Sequence, residues 1–159
     1  MKQLALIALL LSTGPAAAQH AGHQDPDVAR RGDAVMGFSH QKTIHHFRLR
    51  ADGGEIEVTA ADSRDEESVA QIRGHLRHVA QMFADGNFTA PMLIHARNPP
   101  GADLMKARKD AITYVPESIP SGAIVRIRTK DRQALAAIHA FLRFQITDHA
   151  TGDPLTIQR

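Results

Sequence analysis

Thr43-Ile-His-His-Phe-Arg-Leu-Arg-Ala-Asp-Gly-Gly-Glu-Ile-Glu-Val-Thr-Ala60 is the stretch whose reading decides the fold. Apolar and charged side chains alternate on both sides of Asp52-Gly53, a strong two-residue signal for a tight hairpin turn. A turn centred there sets Arg50 opposite Glu55, Leu49 opposite Ile56, Arg48 opposite Glu57, Phe47 opposite Val58 and His45 opposite Ala60. Opposite charges then share one face and apolar residues the other, as a half-buried antiparallel pair requires. His45 falls on the inward face with Phe47 and Leu49, and His46 points outward with Ile44.

Downstream of the hairpin the period changes. Ser63-Arg-Asp-Glu66 reads as a capping box, and Val69, Ile72, Leu76, Val79 and Phe83 form one helical stripe that stops near Gly86. Residues 87–101 read as a long loop ending in Pro99-Pro-Gly101, followed by a short basic helix around Ala102–Asp110. Ala111–Pro116 and Ala123–Thr129 read as a second hairpin around Pro120-Ser-Gly122. Thr129 or Asp131 then caps a last helix carrying Leu135, Ile138, Leu142 and Ile146, closed near Gly152-Asp-Pro154.

The order is ββα twice over. Val69–His78 aligns with Leu135–Phe144 with four identities in ten residues, which suggests a diverged repeat. In that alignment His75 falls on Phe141, His78 on Phe144 and Arg73 on His139, which reads as exposed. The expected fold is α+β, a mainly antiparallel four-stranded sheet with both long helices on one face.

The chain's beginning has the form of a secretion signal. Lys2 is followed by the apolar run Leu4–Leu11, Gly14-Pro15 breaks it, and Ala16-Ala-Ala18 supplies a small-residue cleavage site. Residues 1–18 are therefore read as a signal peptide, 19–36 as a polar, irregular, flexible leader, 37–153 as a single domain and 154–159 as a tail. No stretch approaches membrane-spanning length. Without residues 1–18, lysine and arginine fall from 19 to 18 against 17 acidic residues, a balance that does not favour nucleic-acid binding. The expected location is periplasmic or secreted.

The chain holds ten histidines and no cysteine. The missing thiols exclude disulfides, thioether-linked haem and thiolate metal sites, so a metal must be held by His, Met or carboxylates. His75, His78 and Met82 share one side of the first long helix, where histidines at i and i+3 can ligate one ion and a thioether suits copper. With the inward His45 they form the candidate metal site. His46, Met92, His95, Phe141 and Phe144 are candidates for the surrounding pocket. His149 lies near the end of the last helix, where a protonated ring would favour the helix dipole. His20 and His23 lie in the leader. Cross-strand ion pairing with Glu55 and Glu57 explains the charged face well, and Arg48 and Arg126 are the candidates for the sharper alternative, an anion site. Ile44 and Ile124 on that face suggest a homodimer surface.

Met36-Gly-Phe38, His45-His-Phe47, Asp52-Gly-Gly54, His75-Leu-Arg-His78, Pro99-Pro-Gly101 and Phe141-Leu-Arg-Phe-Gln-Ile146 together resemble a group of small exported bacterial proteins of uncharacterised function. The resemblance covers roughly residues 36–153 and implies export and a single domain, but no mechanism. Members are sometimes labelled aspartate carbamoyltransferase. The Ser-Thr-Arg-Thr phosphate loop of that enzyme is absent from this sequence, and the chain is far too short for its two-domain fold.

Three functional expectations follow. The first is a histidine-rich binding protein for a transition metal, copper first, or for non-covalent haem. The second is a small enzyme using His45 or His75 as general acid or base, with Arg48 or Arg126 holding an anionic substrate. The third is an interaction module that dimerises through its sheet. No serine-hydrolase, zinc-protease or phosphate-loop signature is present.

Overall fold

The structure, a computed structural model, describes residues 26–159; the stretch read as a signal peptide, His20 and His23 lie outside them. Its elements run α1 (Pro26–Met36), β1 (Thr43–Arg50), β2 (Gly53–Ala60), α2 (Glu66–Ala84), α3 (Thr89–His95), α4 (Ala102–Ala107), β3 (Ile112–Ile119), β4 (Gly122–Thr129) and α5 (Arg132–Asp148). Single 3-10 turns precede β1 and β3. The four strands form one antiparallel sheet in the order β1-β2-β4-β3. The fold is α+β, as expected.

Among the described residues, no helix is long and apolar enough to cross a membrane. The second half of the stretch read as an irregular leader is helical, as α1. The stretch read as a loop contains α3, closed by Ala96 in the left-handed conformation at φ 51°.

The first hairpin keeps its expected faces but not its register. Phe47 pairs with Ile56, His45 with Val58 and Arg50 with Gly53, so the two-residue loop is Ala51-Asp52. A shift of two residues preserves the inward and outward sets, because side chains alternate with period two. The expected ion pairs therefore survive as diagonals, Arg48–Glu57 at 2.5 Å and Arg50–Glu55 at 2.8 Å. The glycines explain the shift. A Cβ on Gly53 would lie 1.9 Å from the Ile127 carbonyl oxygen, and one on Gly54 would lie 2.1 Å from Leu142 Cδ1. Both glycines are needed where β2 passes β4 and α5, and the turn forms ahead of them.

The two ββα units are interlocked. α2 packs on β3 and β4, and α5 packs on β1 and β2, so each helix covers mostly the other unit's hairpin. Each helix also caps that hairpin's turn at matching carbonyls. The Arg73 guanidinium on α2 donates to Ile119 O (2.6 Å) and Gly122 O (3.2 Å). His139 Nε2 on α5 donates to Arg50 O (2.9 Å) and Gly53 O (3.1 Å). His139 is thus buried, not exposed, because it serves the place in its unit that Arg73 serves in the other.

The exchange extends to the strand ends. Ala60 N donates to Ser121 O at 2.8 Å, and Thr129 N donates to Asp52 O at 2.9 Å. Gly122 faces the Val58 carbonyl as Gly53 faces that of Ile127. Both long helices are N-capped by an aspartate, Asp65 and Asp131. The cap of α2 is Asp65 and not Ser63: its carboxylate accepts from Ser68 N and suits the positive end of the helix dipole.

The core lies between the sheet and the two helices, with Leu49, Ile72, Val125, Ile127, Ile138 and Leu142 fully buried. Each such side chain contributes roughly 1.5–3 kcal/mol relative to exposure.

Two glycine substitutions test this packing. Gly74, inside α2, has no neighbour within 4 Å of an added Cβ, so Gly74→Ala is expected to raise stability by about 0.5–1 kcal/mol through helix propensity. Gly122→Ala would place a Cβ 2.0 Å from Val58 O and is expected to destabilise by about 1–3 kcal/mol. Urea unfolding of the two variants measures both.

Candidate functional site

One end of the molecule gathers most of the candidate histidines. β1 is an edge strand, and residues 149–153, just after α5, run beside its start. Asp153 fixes that segment: Oδ2 accepts from Phe47 N at 2.9 Å and from the Thr151 hydroxyl at 2.7 Å. Its Oδ1 accepts from His46 Nδ1 at 2.9 Å. Between this segment and β1 lies an open cleft of about 400 Å³ lined by His40, His45, His46, His149 and Asp153, among others. Adjacent strand residues point to opposite faces. An edge strand nonetheless lets His45 and His46 border one cleft, because the cleft wraps around the edge.

Behind the cleft lies a smaller, mostly apolar chamber of about 80 Å³. Phe47, Ile56 and Val58 from the sheet, Leu76, Val79 and Phe83 from α2, and Phe141 from α5 form its apolar walls. Met36 of α1 and Ala90, Pro91 and Ile94 of α3 close it. Arg31 Nε on α1 donates to Ile94 O at the end of α3 (2.6 Å), which holds the two short helices together.

The polar lining consists of His45, His75, His95, His149 and Gln145. His45 and His149 line both cavities and stack with ring centroids 5.9 Å apart and planes within 7°. They form the wall between cleft and chamber.

These rings are in two different states. His95 lies between two polar side chains: Nδ1 donates to Asp148 Oδ2 at 2.5 Å, and Nε2 is 2.9 Å from the side-chain amide of Gln145. Burial would raise the Asp148 carboxyl, but the hydrogen bonds and charges of His95 and Arg97 outweigh it and hold the group below its ordinary value. His45 and His75, in contrast, make no ring hydrogen bond among the described residues. Burial pushes His45 down to about 4, with the neighbouring imidazoles, His75 first, adding to the effect. Burial also lowers His75 to about 4, with His78 adding to it. His149 is pushed down to about 3 by burial and by His45 and His95. It is neutral at pH 7 and does not serve the helix end as a cation.

The sequence candidates separate accordingly. His45 and His75 meet at one chamber, and Phe141 walls it. His78 is exposed and Met82 packs against the core; neither lines the chamber. Met36 does. His95 is buried on α3, while Met92 points away and is exposed. Phe144 packs edge-on against His95 and carries the Arg97 guanidinium over its ring.

On the opposite sheet face Arg48 pairs with Glu57, and Arg126 pairs with Glu55 and Glu117, so carboxylates of the chain already occupy both. Ile44 is exposed but Ile124 is buried, and the two do not make a shared exposed patch. Among the described residues no three His, Cys, Asp or Glu side chains are placed to hold a single metal ion.

Sequence reasoning did not assign His149 or Met36 to the site. The repeat held a signal for His149: His149 and Phe83 occupy matching places, as do His45 and Tyr114. The pair Phe83–Tyr114 packs at 5.8 Å, much as His45–His149 does at 5.9 Å. At one of the two equivalent strand–helix junctions the pair is aromatic, and at the other it is two imidazoles. No protein-family model matches the chain, and no curated protein or solved structure is significantly similar to it.

Three imidazoles with folded pKa values far below the unfolded 6.5 fix the sign of the acid response. The unfolded chain takes up protons that the folded chain refuses, so their contribution is present above about pH 6.5 and falls as pH drops towards 4. Urea midpoints measured from pH 7.5 to 4.5 are expected to decline steadily. The double substitution His45→Tyr, His149→Phe, which copies the Tyr114–Phe83 pair, is expected to flatten that decline.

Proposed function

We propose that the protein is an exported binding protein for a soft transition-metal ion, copper(I) first, held in the inner chamber by His45 and His75 with Met36 as the thioether partner. The observation that carries this reading is that His45 and His75, both half-buried and without a ring hydrogen bond among the described residues, line one small cavity. With no protein hydrogen bond on either ring, their lone pairs are available to a ligand in the cavity. A low folded pKa helps, because no proton has to leave before the metal binds.

Two imidazoles and a thioether form a low-coordinate soft donor set, which suits copper(I) better than ions that need four or six hard ligands. At about 80 Å³ the chamber is well below the roughly 300–1,000 Å³ of ordinary small-molecule pockets, so it accommodates an ion and not a porphyrin.

The acid–base reading has less support. A general base works best with a pKa near the operating pH, and His45 and His75 lie near 4. The arginines assigned to its anionic substrate are engaged with Glu57, Glu55 and Glu117.

Anaerobic titration with copper(I) against a chromogenic chelator is expected to show one tightly bound ion per chain. His45→Ala and His75→Ala should each weaken binding by an order of magnitude or more, while His78→Ala and Met82→Leu should leave it unchanged. Equal retention by the His45→Ala, His75→Ala double variant rejects the assignment.

A further inference from the structure

The outer cleft contains histidines with a different preparation from those of the chamber. His46 Nδ1 lies 2.9 Å from Asp153 Oδ1, and His40 Nδ1 lies 2.9 Å from Asp33 Oδ1. An ionised carboxylate can only accept, so in both rings Nδ1 carries the proton and, in the neutral ring, Nε2 carries the lone pair. A carboxylate that fixes the tautomer and orientation of a histidine is the usual outer support of a metal-ligating imidazole.

Both supports are built into the backbone. Asp33, on α1, also accepts from His40 N at 2.6 Å, and Asp153 also accepts from Phe47 N. The two rings remain about a third exposed, 28% for His40 and 34% for His46, so the cleft is open to water that can complete a coordination shell.

We propose that the outer cleft is a second metal site, which binds a borderline divalent ion such as copper(II) through Nε2 of His40 and of His46, with water in the remaining positions. Its chemistry differs from that of the chamber. Imidazole and water suit a divalent ion, and an open site with two protein ligands exchanges its metal readily. The site stands back to back with the chamber across the stacked His45–His149 pair. It does not depend on the chamber holding copper(I), since its ligands are not the chamber's ligands.

The test uses copper(II) alone, followed by electron paramagnetic resonance and equilibrium dialysis. The protein is the mature chain with His20→Ala and His23→Ala, so that the leader contributes no imidazole. One copper(II) per chain with nitrogen hyperfine structure is expected. His40→Ala and His46→Ala should each lower affinity at least tenfold, and the pair together should abolish the signal.

Asp33→Asn is expected to weaken binding by roughly 10–100-fold, the usual effect of losing such a support. His75→Ala should leave the copper(II) signal intact, and thermal unfolding of each variant shows whether it is folded. Copper(II) binding that survives in a folded His40→Ala, His46→Ala chain overturns the proposal, as does a folded parent chain that binds none. Loss of copper(I) binding with retained copper(II) binding would reject only the chamber reading.

Discussion

The structure depends on a reciprocal clamp between two hairpins and two helices. Arg73 from the first unit ties down the turn carbonyls of the second, and His139 from the second ties down those of the first. Neither hairpin is complete alone. Its turn carbonyls would be left without these donors, and its apolar face is covered mainly by the helix of the other unit. A two-stranded hairpin is marginal in water by itself, and a shared layer of helices gives both a core. Gly53 and Gly122 permit the two inner strands to approach with their ends against each other's backbone.

Within this near-symmetry the functional end is set apart by side-chain chemistry alone. At one of the two equivalent junctions Tyr114 lies beside Phe83, and at the other His45 lies beside His149. The place filled by Phe141 in one helix is filled by His75 in the other, and both border the chamber. The aromatic residues stabilise the core by packing. The imidazoles at the matching places are half-buried, and His45 and His75 make no ring hydrogen bond among the described residues. Residues of α1 and α3, Met36 among them, complete the lining of the site.

The alternation around Asp52-Gly53 and the stripes of the two long helices made the sheet and its helical layer legible. These signals depend on period, and period survives a shift of register by two. The shift itself was not legible, because the glycines that look like a turn are required by contacts with Ile127 and Leu142, far along the chain. For the same reason α3 was hidden: its short sequence, with a proline inside, is held by Arg31 and by packing, not by local propensity.

At the site, His45 and His75 could be chosen from facing and from the repeat. His78 shares a helix side with His75, but the chamber is narrow enough to admit only one of them. His149 was misplaced as a helix-end cation because its burial comes from β1, which no local pattern reveals.

Whether His45 and His75 act as ligands is the central question for this molecule. X-ray absorption at the copper edge of the copper(I)-loaded protein addresses it directly. The proposed copper(I) site predicts two imidazole nitrogens and one sulfur around the ion, with the sulfur contribution lost in Met36→Leu. A shell of oxygen donors, or a spectrum unchanged by His45→Ala, would contradict it.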